Sequence, residues 1–294
     1  MRPAIRSTAL FLATAAMAVA CAKVPFTNRK QYNMIPNALM NGVGKTTYGV
    51  MLGDVNVKKK GDDNGVLQQV GKKISKVADQ PKYNWEFSLI DSDEINAWCL
   101  PGGYIGFYTG ILSVLKNEAG MAFVMGHEVG HATAHHGSER LTQQLTLAGG
   151  LVGLELFMKD QTKLKPKERS VILGALGVGA TFGVLLPFSR MHESEADTIG
   201  LMYMSSAGYP PAESLKVWTR MEKETGGSVI PAFLSTHPTN KKRKANLRDW
   251  MPQADKRYAR NALKKNTLKT LWGPGGSGGG STGGDDDKAV TKPE

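Results

Sequence analysis

Two histidines and a glutamate form the arrangement in this sequence that is best suited to chemistry. They lie in the run His127-Glu128-Val129-Gly130-His131. Residues four apart share one face of an α-helix, so His127 and His131 can direct both imidazoles at a single metal ion. Zinc lowers the pKa of a water in its open position to about 7, and Glu128 is near enough to take that proton. The pattern predicts a hydrolytic zinc site with one ion per chain, although the five-residue motif alone can match a buried helix by chance.

A catalytic zinc ion also needs a third protein ligand. A third histidine six residues after His131 would serve, but that position is Gly137. Further along, the run His192–Asp197 offers Glu193 and Asp197, which are four apart and therefore share a helical face. We predict that Glu193 binds the ion and that Asp197 accepts a hydrogen bond from a ligand imidazole. The alternative is that both are ordinary surface charges.

The neighbours of these residues are predicted to have supporting roles. His135 and His136 are expected to be surface or structural residues, and Glu195 is expected to point away into solvent. Gly130 and Ala196 are small, so the two helices of the site can approach closely.

The elements that must position the site are mostly helices. Apolar spacing or composition predicts helices over 66–77, 117–136, 190–206 and 212–224, and strands over 85–90 and 104–108. Residues 22–62 are expected to have little regular structure. The apolar stretches 145–158 and 171–188 are expected to form a buried or partly exposed hairpin near the site, since a single membrane span would separate the two halves of the zinc site. The alternative is that the two stretches enter the membrane together as a paired hairpin. The chain is therefore predicted to be an α-rich α+β protein.

The N-terminus has the pattern of an export signal. Arg2 and Arg6 precede an uncharged segment that ends in Ala18-Val19-Ala20-Cys21, which is similar to a bacterial lipobox with an acylated cysteine. This predicts a lipoprotein, attached through Cys21 to the periplasmic side of the outer membrane. The alternative is ordinary cleavage and a soluble periplasmic protein.

Composition fits one catalytic domain with tails. We predict a signal peptide over 1–20, a lipid-anchored tether over 21–62, a peptidase domain over 63–258, an extension over 259–272 and a flexible glycine-rich tail over 273–294. The formal charge is +11, but the basic residues are scattered and the export signal argues against nucleic acid as a partner. After export, Cys99 has no partner for an internal disulfide and is expected to be a small buried residue.

Several further motifs carry a resemblance to a known family. Asn96-Ala97-Trp98, Pro101-Gly102-Gly103-Tyr104, Pro187-Phe188-Ser189-Arg190 and Ser235-Thr236-His237-Pro238 accompany the zinc motifs in order. From about residue 63 to 250 the chain resembles bacterial zinc peptidases of the BepA and LoiP type, whose relatives include the mitochondrial Oma proteases and the CAAX prenyl proteases. The resemblance implies a gluzincin-like fold, with a zinc-binding helix pair and a small sheet whose edge receives substrate.

The same resemblance implies roles for particular residues. It places His237 and Arg243 near the metal as donors to the oxyanion, and His237 has the second option of displacing the catalytic water. It identifies Asn96, Ala97, Gly102 and Gly103 as part of the substrate-binding edge. The alternative is a plain hairpin with one face in the core, and both can be true.

The resemblance also implies partners and activity. It implies endopeptidase activity on misfolded or misassembled cell-envelope proteins, with unfolded or extended polypeptides as substrates and envelope assembly machinery as a possible partner. The alternative function is an envelope chaperone or assembly factor with weak or latent protease activity.

Overall fold

Helices make up most of the molecule. The computed structural model describes residues 21–78, 80–161, 164–180, 185–224, 231–238 and 241–261, so the predicted signal peptide and glycine-rich tail lie outside the described residues. The α-rich α+β prediction is confirmed. The helices are α1 (Asn37–Gly53), α2 (Asp62–Ala78), α3 (Leu112–Leu115), α4 (Glu118–Thr133), α5 (His136–Gln161), α6 (Pro166–Ala180), α7 (Leu186–Ser206), α8 (Glu213–Glu224), α9 (Ala232–Thr236) and α10 (Lys241–Arg260).

The strands form two small sheets. They are β1 (Cys21–Lys23), β2 (Lys30–Tyr32), β3 (Glu86–Ile90), β4 (Ala97–Leu100) and β5 (Tyr104–Tyr108). The first two pair antiparallel with each other. The other three form a sheet in the order β3-β5-β4, in which β3 is parallel and β4 antiparallel to the central β5. The strand β4 therefore lies at an edge of this sheet.

Helix α4 runs through the hydrophobic core. Its glycine, alanine, valine and methionine residues are buried on all sides, and it packs against α2, α7 and α8. The helix begins at Asn117, whose side chain accepts a hydrogen bond from the backbone N–H of Gly120 at 2.9 Å, which satisfies an amide that the first turn leaves without a helical partner. Val70 and Ile74 are fully buried on one face of α2, as the apolar spacing predicted, and Leu67 is fully buried beside them.

The prediction of little regular structure over residues 22–62 is wrong, because this segment contains β1, β2 and α1. Helix α1 is rich in glycine, threonine and asparagine, which have low intrinsic helix propensity. Tertiary contacts hold it instead. A Cβ at Gly44 would lie 1.9 Å from the Pro101 carbonyl oxygen, and the Tyr48 hydroxyl forms a hydrogen bond with Ser88 at 2.8 Å.

Helices α5 and α6 pack on each other as the predicted hairpin. An ion pair between Arg169 and Glu155 at 3.2 Å joins them. Many apolar side chains of the pair are exposed, so the hairpin is partly exposed rather than buried: Leu145, Val152, Leu156, Phe157, Val171 and Val178. Among the described residues, no helix combines the length and the hydropathy that a membrane span requires.

Candidate active site

Two helices cross closely at the predicted metal site. Helix α4 carries His127, Glu128 and His131, and α7 carries Glu193 and Asp197. The crossing depends on small residues, because added side-chain atoms would meet the opposite backbone. A Cβ at Gly126 would lie 2.8 Å from the Gly200 carbonyl oxygen, one at Gly200 would lie 2.6 Å from the His127 nitrogen, and one at Gly130 would lie 3.2 Å from the Ala196 carbonyl oxygen. The predicted close approach at Gly130 and Ala196 is confirmed, and the Gly126–Gly200 contact is an addition that the sequence analysis missed.

The donor atoms of the three predicted ligands converge on one point. The Nε2 atoms of His127 and His131 are 3.2 Å apart. Glu193 Oε2 lies 3.5 Å from His127 Nε2, and Glu193 Oε1 lies 3.4 Å from His131 Nε2. Two donors that bind zinc tetrahedrally at about 2.0–2.1 Å are about 3.3 Å apart. The spacing and the donor types therefore fit a zinc ion held by these three residues.

The charge of Glu193 also suits a cation. The carboxylate is 2% exposed. Burial alone would raise the pKa of Glu193, but His131 and His127 hold that pKa well below its ordinary value. Glu193 is therefore an anion at neutral pH.

A fourth donor, from His237, lies among the three ligands. His237 Nδ1 is 3.3 Å from His127 Nε2 and 3.0 Å from Glu193 Oε2, and the four donor atoms lie within 4.8 Å of one another. The imidazole stacks on Phe233, with ring centroids 4.7 Å apart. The structure thus brings His237 to the metal site, as expected.

Charged side chains behind the predicted ligands contact them on the side away from the metal site. His127 Nδ1 lies 3.0 Å from Asp197 Oδ1. Arg243 donates to both oxygens of Asp197, at 2.6 and 2.8 Å, and also to the backbone carbonyl of His237 at 3.3 Å. Burial would raise the pKa of Asp197, but Arg243 and His127 hold it below its ordinary value. Asp197 therefore contacts the His127 imidazole, as its spacing from Glu193 predicted, and its role in orienting a metal ligand stays a prediction.

Glu128 lies between the metal ligands and the sheet edge. Its Oε1 is 3.5 Å from His237 Nε2, and the backbone of Cys99 in β4 is close enough to lower the pKa of the carboxylate. Burial raises the pKa of Glu128, and His237 and His127 oppose that rise. The candidate base is thus in contact with the strand that would present a substrate.

This geometry agrees with the sequence comparisons. The model of peptidase family M48 matches residues 62–251, more than half of the 294-residue chain. The chain belongs to peptidase family M48. The predicted resemblance and the prediction of a metallopeptidase are both confirmed.

Named M48 relatives come from mitochondria and from bacteria. Mitochondrial metalloendopeptidase OMA1 of Schizosaccharomyces pombe is 32% identical over 238 residues, which are 79% of this chain and 66% of that protein. The OMA1 of Arabidopsis thaliana is 37% identical over 62% of this chain and 35% of its own length. The beta-barrel assembly-enhancing protease of Escherichia coli is 28% identical over 62% of this chain and 38% of its own length. The chain thus spans about two thirds of the first relative and little more than a third of the other two.

The four predicted substrate-binding residues lie in β4 or next to its ends, and their surroundings differ. The Asn96 side-chain oxygen accepts a hydrogen bond from the backbone N–H of Ala97, the first residue of β4, at 2.9 Å. Gly102 and Gly103 have φ angles of +93° and +94°, which favour glycine. Their carbonyls accept hydrogen bonds from the backbone N–H groups of Asn84 and Glu86. The turn and its contacts with the start of β3 therefore account for both glycines without a substrate.

The predicted solvent exposure of Glu195 is wrong. Glu195 is 5% exposed, and its Oε2 lies 3.0 Å from His136 Nε2. His136 is 3% exposed, so it is not a surface residue, and its Nδ1 lies 3.0 Å from His131 Nδ1. Burial lowers the pKa of His136 to about 4. Helical spacing placed Glu195 off the ligand face correctly, but that side of α7 is covered by other parts of the chain rather than by solvent.

Proposed function

We propose that this M48 protein is a zinc-dependent endopeptidase in which Glu128 is the general base. The observation that carries the proposal is the convergence of His127, His131 and Glu193 beside the Glu128 carboxylate. A bound zinc ion would supply Lewis-acid polarisation of the scissile carbonyl and acidify water. The chain itself supplies a proton acceptor in Glu128, with Asp197 holding one ligand in orientation.

The sheet edge supports an extended polypeptide as substrate. The carbonyl of Asn96 accepts a hydrogen bond from the N–H of Tyr108 in β5. Backbone groups alternate along a strand, so those of Ala97 and Cys99 point away from β5. A cavity of about 260 Å³ lies here, bordered by Trp98 and Cys99 on one side and the metal ligands on the other. A peptide that adds to β4 would pass beside Glu128.

Arg243 fits a positioning role better than that of an oxyanion donor. The residue is 1% exposed, and its guanidinium is committed to Asp197, to Glu193 at 3.2 Å and to the backbone carbonyls of His237 and Pro238. It therefore holds the segment that carries His237 against the outer layer of the metal site.

The natural substrates that we propose are misfolded or misassembled envelope proteins. The predicted export signal at the N-terminus and the name of the Escherichia coli relative, the beta-barrel assembly-enhancing protease, support this assignment. The two OMA1 relatives are mitochondrial, so the proposed compartment rests on the predicted signal sequence and not on the family.

Removal of the metal is the direct test of the proposed activity. Purified protein should contain one zinc per chain and digest casein. A strong chelator should abolish the digestion, and added zinc should restore it. Protein that binds zinc but never cleaves an unfolded substrate would instead support the alternative of an assembly factor.

The position of His237 supports a latent resting state. Its Nδ1 lies among the three ligand atoms, and its Nε2 faces Glu128. The ring thus occupies the space in which the base and a reacting group would meet. We propose that His237 closes the site until its segment moves away, which would keep the basal activity of the protease low.

Replacing His237 with alanine should raise basal casein digestion. If the closed arrangement is populated at about 90%, its removal raises the rate roughly tenfold. Initial rates at saturating casein, measured on protein with verified zinc content, check this. A lower turnover number with unchanged zinc content would show instead that His237 assists the reaction.

Replacing Cys21 with serine should release the protein from membranes. Residue 21 pairs with Tyr32 through the backbone, so serine should keep the segment that begins at β1 in place. The variant should therefore appear in the soluble periplasmic fraction, or remain unprocessed, with its zinc content unchanged when purified. Wild-type protein that is already fully soluble after export would contradict the proposed lipid anchor.

A further inference from the structure

The two histidine ligands of the metal site are held in different ways. His127 Nδ1 contacts the carboxylate of Asp197 directly. His131 Nδ1 instead contacts another imidazole, His136 Nδ1, at 3.0 Å. The carboxylate in this second arrangement is Glu195, which lies one ring further out, with its Oε2 3.0 Å from His136 Nε2.

The tautomers of this chain follow from zinc binding. A histidine that binds zinc through Nε2 keeps its proton on Nδ1. His131 must therefore donate to His136 Nδ1, which can accept only if the His136 proton is on Nε2. That proton points at Glu195, so the Glu195 carboxylate selects the His136 tautomer that His131 requires.

Glu195 is in turn fixed by the N-terminal segment. Arg29, in the turn between β1 and β2, donates to Glu195 Oε2 from Nη2 at 2.8 Å and from Nε at 3.0 Å. The same guanidinium donates to both oxygens of Glu139 at 2.8 Å, and Thr27 donates to Glu195 Oε1. The turn that follows the candidate lipid attachment site is thus bonded to the surroundings of the metal ligands.

A second imidazole limits the movement of His136. The His192 ring stacks on it, with centroids 4.2 Å apart and planes inclined by 14°. His192 Nε2 lies 2.9 Å from Glu139 Oε2. Each of the two rings therefore contacts a carboxylate that accepts hydrogen bonds from Arg29. Packing sets the plane of the His136 ring, and Glu195 sets its tautomer.

We propose that His136 is a positioning residue for the zinc ligand His131, and that Arg29 acts on the metal site through Glu195 and His136. This inference rests on the zinc site proposed above. The N-terminal segment thereby supports the metal site. Zinc affinity should be higher when that segment is packed against Glu195 than when it is not.

The test measures zinc dissociation constants by competition with a fluorescent chelator, together with the melting temperature of the metal-free protein. His136→Phe keeps a stacked ring but removes the acceptor, and should raise the zinc Kd about 10- to 100-fold. His136→Asn retains an acceptor near the Nδ1 position and should raise it much less. The matched control is His135→Asn, because His135 contacts Asn37 rather than a ligand and its φ of 53° suits asparagine.

A double-mutant cycle tests the link to the N-terminal segment. Arg29→Met should weaken zinc binding in the wild-type background but add nothing to His136→Phe, because the connection is already broken. Additive effects would show that Arg29 acts elsewhere and would overturn that part of the proposal.

A purely structural network gives a different result. If His136→Phe and His136→Asn both keep the wild-type zinc Kd while the melting temperature falls, the positioning role is wrong although the zinc site stands. Wild-type protein that binds no zinc would overturn the proposed site and this inference together.

Discussion

The Glu128→Gln variant should bind one zinc per chain, as the wild type does, and cleave casein about 100- to 10,000-fold more slowly. A positioned general acid or base contributes a factor of that order. Glutamine has nearly the same shape as glutamate and still offers a side-chain oxygen, but it cannot accept a proton. The three ligands do not involve this carboxylate, so zinc content should be unchanged.

A matched control separates loss of the base from a general effect on helix α4. Glu118 lies at the start of the same helix, where its Oε2 accepts a hydrogen bond from the Tyr209 hydroxyl at 3.2 Å. Glu118→Gln makes the same chemical change away from the metal and should keep both zinc and activity. Substantial cleavage by zinc-loaded Glu128→Gln would show that another group accepts the proton.

The convergence of the predicted metal ligands could be foreseen from the sequence because local spacing determines which residues share a helix face. His127 and His131 are four residues apart on one helix, and Glu193 and Asp197 are four apart on another. Helical periodicity alone places each pair on one face. Small residues indicated that the two helices could approach closely, and the structure has small residues where they cross.

The surroundings of Glu195 could not be predicted in the same way. Its partners, Arg29 and His136, come from a β-turn and from the start of α5, 166 and 59 residues away in the chain. No spacing rule connects these positions, because their proximity depends on how the N-terminal segment docks. The same holds for α1, whose glycines disfavour a helix locally, although one of them permits its contact with Pro101.

The Glu193→Gln variant should lose zinc affinity by more than the 10- to 100-fold typical of an outer partner. It removes the one negative charge among the three ligands and leaves a weaker neutral donor. Measurement of zinc Kd by chelator competition checks this. A variant with wild-type affinity would show that Glu193 is not a ligand.

The control for this change is another buried carboxylate. Glu213 is 3% exposed and pairs with Arg220 at 2.8 Å, so Glu213→Gln disturbs a buried ion pair as severely but outside the ligand set. It should lower stability while leaving the zinc Kd unchanged. A comparable loss of zinc affinity in both variants would mean that destabilisation alone explains the effect.

The Asp197→Asn variant should give an intermediate loss of zinc affinity in the same measurement. Asp197 contacts His127 Nδ1 and not the metal-facing Nε2, so its loss should weaken zinc binding about 10- to 100-fold, less than the loss of Glu193. Glu195→Gln should have a smaller effect again, because Glu195 reaches its ligand only through His136. The expected order of effects, Glu193 above Asp197 above Glu195, follows from the number of hydrogen-bonded contacts that separate each carboxylate from the metal. A different order would mean that contact distance from the ion does not determine how these carboxylates support it.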